Sequence, residues 1–171
     1  MSADATPVIE VSAINADDID ALCALAALIW RAHYPAIISA AQIEYMLAQR
    51  YAPHVLRAEL VRDGLWWDKL TVDGHMRGFC SYFLVDGGEM KLDKVYVHPE
   101  CQRRGYGRLL IERAAQGARE HACKALTLAV NKHNGTAIAM YRKQGFEIVG
   151  SVVKDIGAGF AMDDYVMRRH V

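Results

Sequence analysis

Between Lys91 and Glu112 the chain reads KLDKVYVHPECQRRGYGRLLIE, which in one pass is strand, sharp turn, glycine-bearing loop and the opening of a helix. Leu92, Val95, Tyr96 and Val97 have the β-branched and aromatic character of a strand. Pro99 pushes His98 out of helical dihedrals and ends the run. Gln102-Arg103-Arg104-Gly105-Tyr106-Gly107 follows, and its two glycines let the backbone turn tightly and approach a ligand closely. The helix opened there presents N–H groups with no partner inside the helix. Those donors, the helix dipole and the side chains of Arg103, Arg104 and Arg108 suit a phosphate-bearing anion. Two glycines at a strand-to-helix turn are also what a tight turn alone requires, so the pair does not decide the matter. The spacing is not that of a dinucleotide loop, because Leu110 occupies the third glycine position, nor of a Walker A loop, because no G-K-[ST] follows.

The rest of the chain supplies a sheet for this unit. Val8 to Val11 reads as a first edge strand, and Asp17 or Asp18 starts a helix whose apolar residues Ile19, Leu22, Leu25, Ala26, Ile29 and Trp30 recur at helical spacing up to Tyr34-Pro35. Ser39 to Gln42 has the form of a capping box for a second helix, and a third follows Pro53 and stops at Asp63-Gly64. From Leu65 the period falls to two, and Asp73-Gly74 and Asp86-Gly87-Gly88 join three antiparallel strands. The helix opened by Gly105 leads to a buried strand, Lys124 to Val130, which implies a parallel neighbour and a right-handed crossover. Asn134 caps a further helix through Tyr141. Gly145 supplies its left-handed end, and Phe146 to Val149 begins a strand that can pair with Met162 to Met167. The expectation is one α/β domain over residues 1–171.

Q-R-R-G-Y-G resembles the pyrophosphate-binding signature Q/R-x-x-G-x-G/A of the GNAT superfamily of N-acetyltransferases, and the order of elements resembles that family's order over nearly the whole chain. A second landmark is Asn131-x-x-Asn134-x-x-Ala137-x-x-x-Tyr141-x-x-x-Gly145-Phe146. The resemblance implies a mixed sheet of about seven strands flanked by helices, with two splayed central strands. It implies that Gln102, Arg103, Arg104, Gly105, Tyr106, Gly107 and Arg108 hold the diphosphate of acetyl-coenzyme A as co-substrate. Val95, Tyr96 and Val97 would pair with the pantetheine arm as an added strand. Asn134 would touch the same arm, and Tyr141 would sit by the thioester sulfur, as cofactor contact and as catalytic acid. A phenol near pKa 10 giving its proton to a thiolate near 8.5 works uphill by about 2 kcal/mol. In the family the strand carrying Val95 is bulged, freeing a backbone N–H for the developing oxyanion. No local signal in this sequence is taken to mark that bulge.

The general base is not assigned. Lys91 stands where some members place a carboxylate, which leaves Glu89, Asp93 or a water chain, and Asp93 is as readily an ion-pair partner of Lys91 or Lys94. Tyr34, Glu44, Tyr82 and Glu89 lie in segments that line the acceptor groove in relatives. The tail DIGAGFAMDDYVM resembles the ends of small-molecule acetyltransferases, including those acting on polyamines. Glu44, Asp163 and Asp164 would favour a cationic acceptor if they faced the groove, but solvated surface is the simpler reading. The function expected is acetyl transfer to a primary amine of a small molecule by direct attack in a ternary complex. The alternatives are a protein N-terminal or lysine acetyltransferase and a non-catalytic coenzyme-binding regulator.

Composition excludes other classes. Twenty basic and twenty acidic side chains balance, and the Arg103 to Arg108 cluster lacks an aromatic stacking platform, so no nucleic-acid partner is expected. Cys23, Cys80, Cys101 and Cys123 form no C-x-x-C pair, which fits reduced thiols in a cytoplasm and neither a disulfide framework nor a metal site. The N-terminus lacks a basic region followed by an apolar one, and the run Ala21 to Trp30 is about half a membrane span. The final strand of such a sheet can pair between subunits, which leaves a homodimer open.

Overall fold

A computed structural model describes residues 5–171. Its centre is a seven-stranded sheet in the order β1-β2-β3-β4-β5-β7-β6, built from β1 (Ile9–Ala13), β2 (Leu65–Val72), β3 (His75–Val85), β4 (Glu89–Val97), β5 (Ala125–Asn131), β6 (Glu147–Gly157) and β7 (Phe160–His170). The hairpins expected from Asp73-Gly74 and Asp86-Gly87-Gly88 join β2, β3 and β4 as antiparallel neighbours. Between β4 and β5 runs α4 (Tyr106–Glu120), which makes that pair parallel.

Three helices, α1 (Ile19–His33), α2 (Ala40–Arg50) and α3 (Pro53–Leu60), cover one face of the sheet. The other face carries α4 and α5 (Gly135–Lys143). Each face has its own apolar core, one around Leu22, Trp30, Leu56 and Phe79 and the other around Met90, Leu110, Ile111 and Leu126. None of the described helices is long and apolar enough to cross a membrane. The first helix starts as expected, with Asp18 in its N-cap position. A short 3-10 turn, Ala16–Asp18, precedes it and carries its own capping box: Asn15 Oδ1 accepts from the Asp17 N–H, and the Asp18 carboxylate accepts from the Asn15 N–H.

Close packing of α4 on the sheet depends on Gly117. A Cβ built there would stand 2.7 Å from Cε2 of Tyr82, whose hydroxyl is fixed to the buried Asp68 carboxylate at 2.6 Å. Replacing a mid-helix glycine by alanine normally gains about 1 kcal/mol. Here Gly117→Ala is expected to lose about 1–3 kcal/mol through overpacking, read as a lower melting temperature in a calorimetric scan.

Candidate active site

Strands β4 and β5 pair only from Glu89 to Lys91 against Ala125 to Thr127. Beyond that they diverge, so the β5-facing backbone groups of Val95 and Val97 have no strand partner, while Tyr96 turns its N–H and C=O toward Phe79 of β3. A bulge accompanies the divergence. Ser81 opposes Lys94 and Tyr82 opposes Leu92, leaving Asp93 as the extra residue. The bulge exchanges the faces of the strand: Met90 and Leu92 pack under α4, but beyond it Val95 and Val97 do so, and Lys94 and Tyr96 turn toward α1 to α3. The sequence does carry this signal, as a change of parity from apolar 90 and 92 to apolar 95 and 97.

The splay opens a cavity of about 1360 Å³ that runs from the glycine loop, past α5 and β5, to α1, α2 and the β6–β7 hairpin. At the loop end, Arg103 and Gly105 have φ of +61° and +81°. Among the described residues, no main-chain N–H from Gln102 to Arg108 donates a hydrogen bond of good geometry. Left-handed residues at alternating positions turn successive N–H groups toward one side, a concavity suited to an anion. A diphosphate fits the arrangement: these donors have no good partner among the described residues, all of the loop but Arg104 lines the cavity, and no described atom lies within 4 Å of a Cβ built on Gly105. Of the loop residues expected to bind, Gln102, Arg103, Gly105, Tyr106, Gly107 and Arg108 are on the cavity wall, and Arg104 is an exposed side chain outside it.

Val95, Tyr96, Val97, Asn134 and Tyr141 are on the same wall. Asn134 Oδ1 caps α5 through the Ala137 N–H at 3.4 Å and accepts from Nε2 of His33 at 3.0 Å, tying the end of α1 to α5. The Tyr141 ring packs edge-on against Phe146 at 5.7 Å, and its hydroxyl has no hydrogen-bond partner among the described residues. Burial pushes that phenol well above its usual range, so it is protonated at every working pH. The same apolar wall disfavours a thiolate as well, so burial raises proton donor and acceptor together.

The opposite end differs from expectation in several residues. Trp30, Tyr34 and Tyr96 form an aromatic wall, with the Tyr34 and Tyr96 hydroxyls 2.9 Å apart. Burial raises both phenols. Tyr82 is not in the cavity; it lies in the core under α4, held by Asp68. Glu89 is ion-paired with Arg168 at 2.8 Å and Glu44 with Arg31 at 2.8 Å, both away from the cavity. Asp163 is likewise outside, paired with Lys132 at 2.8 Å. Asp164 alone of those carboxylates reaches the cavity, and its Oδ1 is buried without a hydrogen-bond partner. Asp93 pairs with Lys94 and, at 2.8 Å, with Arg50, not with Lys91. Burial alone would raise its carboxyl, but Arg50 and Lys94 outweigh it and hold the group well below the usual carboxylate range. A carboxylate so held is a poor proton acceptor. His33, Arg50 and Asp164 carry no motif; a helix end and an acidic tail conceal them until the chain folds.

Against known proteins, residues 24–146 match the profile of the Acetyltransferase (GNAT) family. The chain is 24% identical over 144 residues to a spermidine N(1)-acetyltransferase of Thermoplasma acidophilum, covering 82% of this chain and 89% of that one. It is 34% identical over 83 residues to a peptidyl-lysine N-acetyltransferase of Escherichia coli, covering 48% and 52%. Among solved structures it resembles the PaiA N-acetyltransferase of Thermoplasma acidophilum in complex with coenzyme A, with a TM-score of 0.83, 21% identity and coverage of 96% and 99%. The ribosomal-protein-S18-alanine N-acetyltransferase of Escherichia coli follows the same fold, with a TM-score of 0.69 at 20% identity and coverage of 96% and 94%. The chain belongs to the GNAT family of N-acetyltransferases, enzymes that use acetyl-coenzyme A.

Proposed function

We propose that this enzyme acetylates a primary amine of a small molecule, a polyamine, an amino acid or a related compound, by direct attack while both substrates are bound. The observation that carries the reading is the single cavity: the loop of orphaned N–H groups and the aromatic wall at its far end open into the same space. Its acceptor end is narrowed by the β6–β7 hairpin, which is tied to α2 through Tyr45 Oη donating to the Ile156 carbonyl at 2.7 Å and Gln42 Nε2 donating to the Ala161 carbonyl at 3.2 Å. A strapped hairpin suits a compact acceptor better than an extended polypeptide. The likeness to a spermidine acetyltransferase over most of both chains supports the same choice.

Bound acetyl-coenzyme A supplies an activated acyl thioester. The protein's own part begins with holding the diphosphate on the N–H groups of 102–108, where charge-assisted hydrogen bonds and the α4 dipole act together. The open side of Val95 to Val97 offers backbone groups to the amide-bearing arm, as in strand addition. One N–H of this segment, left without a β5 partner, stabilises the oxyanion. Tyr141 protonates the leaving sulfur.

Mixing enzyme, acetyl-coenzyme A and a panel of polyamines, amino acids and aminoglycosides, with free thiol as readout, tests the acceptor class. A second panel of peptides with free N-termini or lysines runs beside it. Turnover confined to the peptides would overturn the small-molecule reading, and the peptidyl-lysine relative makes that comparison necessary. Tyr141→Phe is expected to lower kcat by about 10²-fold and to leave coenzyme affinity by calorimetry within about twofold, because the phenol contributes a proton more than a contact. Full activity in that variant would remove Tyr141 from the mechanism.

A further inference from the structure

We propose that Asp164 is the acceptor's docking and deprotonating group: its unpartnered carboxylate, set in the same cavity as the aromatic wall, receives the substrate ammonium and takes one of its protons. This rests on the small-amine reading above. Within the cavity the other carboxylates are engaged, Asp93 by Arg50 and Lys94, and Asp155 by the Gly157 N–H at 2.8 Å. Among the described residues Asp164 makes no ion pair within 4.0 Å, and its Oδ1 is buried with no donor. A buried charge-bearing oxygen left without a partner is costly, and proteins retain such groups where a ligand completes them.

The position is set by β7, where Asp164 lies across from Asn131 of β5 and Val152 of β6. The charged and titratable groups that act on it come from every side: Asp163 on its own strand, Lys91 on β4, Arg50 on α2, Lys154 on β6 and Tyr34 beyond α1. Burial and then Asp163 push its carboxyl up, against the three cations. The Arg50 charge is already taken by Asp93, so an incoming ammonium meets a less cationic site than the residue count suggests. Trp30, Tyr34 and Tyr96 line the same cavity, and an aromatic ring presented to a cation adds attraction.

The proton balance closes. The ammonium gives one proton to Asp164, and the nitrogen lone pair so freed forms the C–N bond to the acyl carbon. The C–S bond breaks with its electron pair on sulfur, which takes the proton of Tyr141. The second proton of the attacking nitrogen returns to the Tyr141 phenolate, and Asp164 releases its proton to solvent. At pH 7 an alkylamine with a pKa near that of lysine is neutral in only about one molecule in 10³ to 10⁴, so a site that binds the ammonium draws on nearly all of the substrate, and the upward push on the Asp164 carboxyl lessens the cost of passing the proton as the C–N bond forms.

The test compares wild type, Asp164→Asn and Asp164→Glu on spermidine, phenylethylamine and lysine, which are ammonium ions at pH 7, and on methoxyamine, which is neutral there. Asp164→Asn is expected to lose about 100-fold in kcat/KM on the ammonium probes and to lose the acid limb of the pH profile. Its change on methoxyamine should stay within about threefold, and Asp164→Glu should recover part of the loss. Calorimetry on the complex with coenzyme A should show weaker spermidine binding to Asp164→Asn and unchanged coenzyme binding. Equal losses on methoxyamine and the ammonium probes would make Asp164 structural and overturn the assignment. Retained activity and spermidine affinity in Asp164→Asn would overturn it while leaving the acetyltransferase reading intact. Wild-type turnover with peptides alone would overturn both.

Discussion

Gly105→Glu is expected to abolish coenzyme A binding in a protein that remains folded. Gly105 has φ of +81°, so any side chain there is strained by about 1–2 kcal/mol, yet a Cβ at that position meets nothing within 4 Å. The added Cβ therefore clashes with no described atom, and a carboxylate at this turn is expected to compete for the loop's N–H donors and to repel a diphosphate. Calorimetric titration with coenzyme A should show a loss of at least about 10³-fold, or about 4 kcal/mol. The melting temperature should fall by only about 2–8 °C. Gly105→Ala, with the same backbone strain and no charge, should keep most of its affinity. Retained binding in the glutamate variant would mean that the loop does not hold the anion, and the catalytic assignments that depend on the loop would fall with it.

Asp93→Asn is expected to cause the largest loss of stability. Lys94 is 3% exposed and lies over Trp67 with its ammonium 4.9 Å from the ring centroid. Its counter-charge is the Asp93 carboxylate, which Arg50 also reaches. Removing one partner of a buried pair strands the other charge, at a cost of about 3–5 kcal/mol. In a chemical unfolding curve this appears as a lower midpoint with an unchanged slope. Adding Lys94→Met should restore much of the loss, because the ammonium that had been stranded is gone and the remaining Arg50 reaches the open cavity. The pH dependence has a definite sign. The native carboxyl titrates below its unfolded value of about 3.9, so its contribution is complete above that pH and is lost as the pH falls through it and below. The wild type should therefore destabilise more steeply in acid than Asp93→Asn.

Much of this was written locally. The hairpin turns, the helix after Gly105 and the cap at Asn134 follow from glycine and side-chain chemistry acting over a few residues, and all appear in the structure. The bulge at Asp93 was also legible, as the shift of apolar parity along β4, although strand composition alone conceals it. The groove residues were not. Tyr82 and Glu89 occupy the same β3–β4 hairpin as cavity residues, but their partners, Asp68 and Arg168, sit on β2 and β7. Asp163 and Asp164 are adjacent and alike in sequence, and the alternation of β7 sends one to Lys132 and the other to the cavity.

By itself the sequence determined the elements, their order and the glycine turn that opens α4, because dihedral preference, period and helix ends depend on near neighbours. Only the tertiary structure decided which charges are used up in pairs and which face the cavity. That choice depends on distances between strands and helices far apart in the chain, from Arg50 to Asp93 and from His33 to Asn134, and no local pattern encodes them.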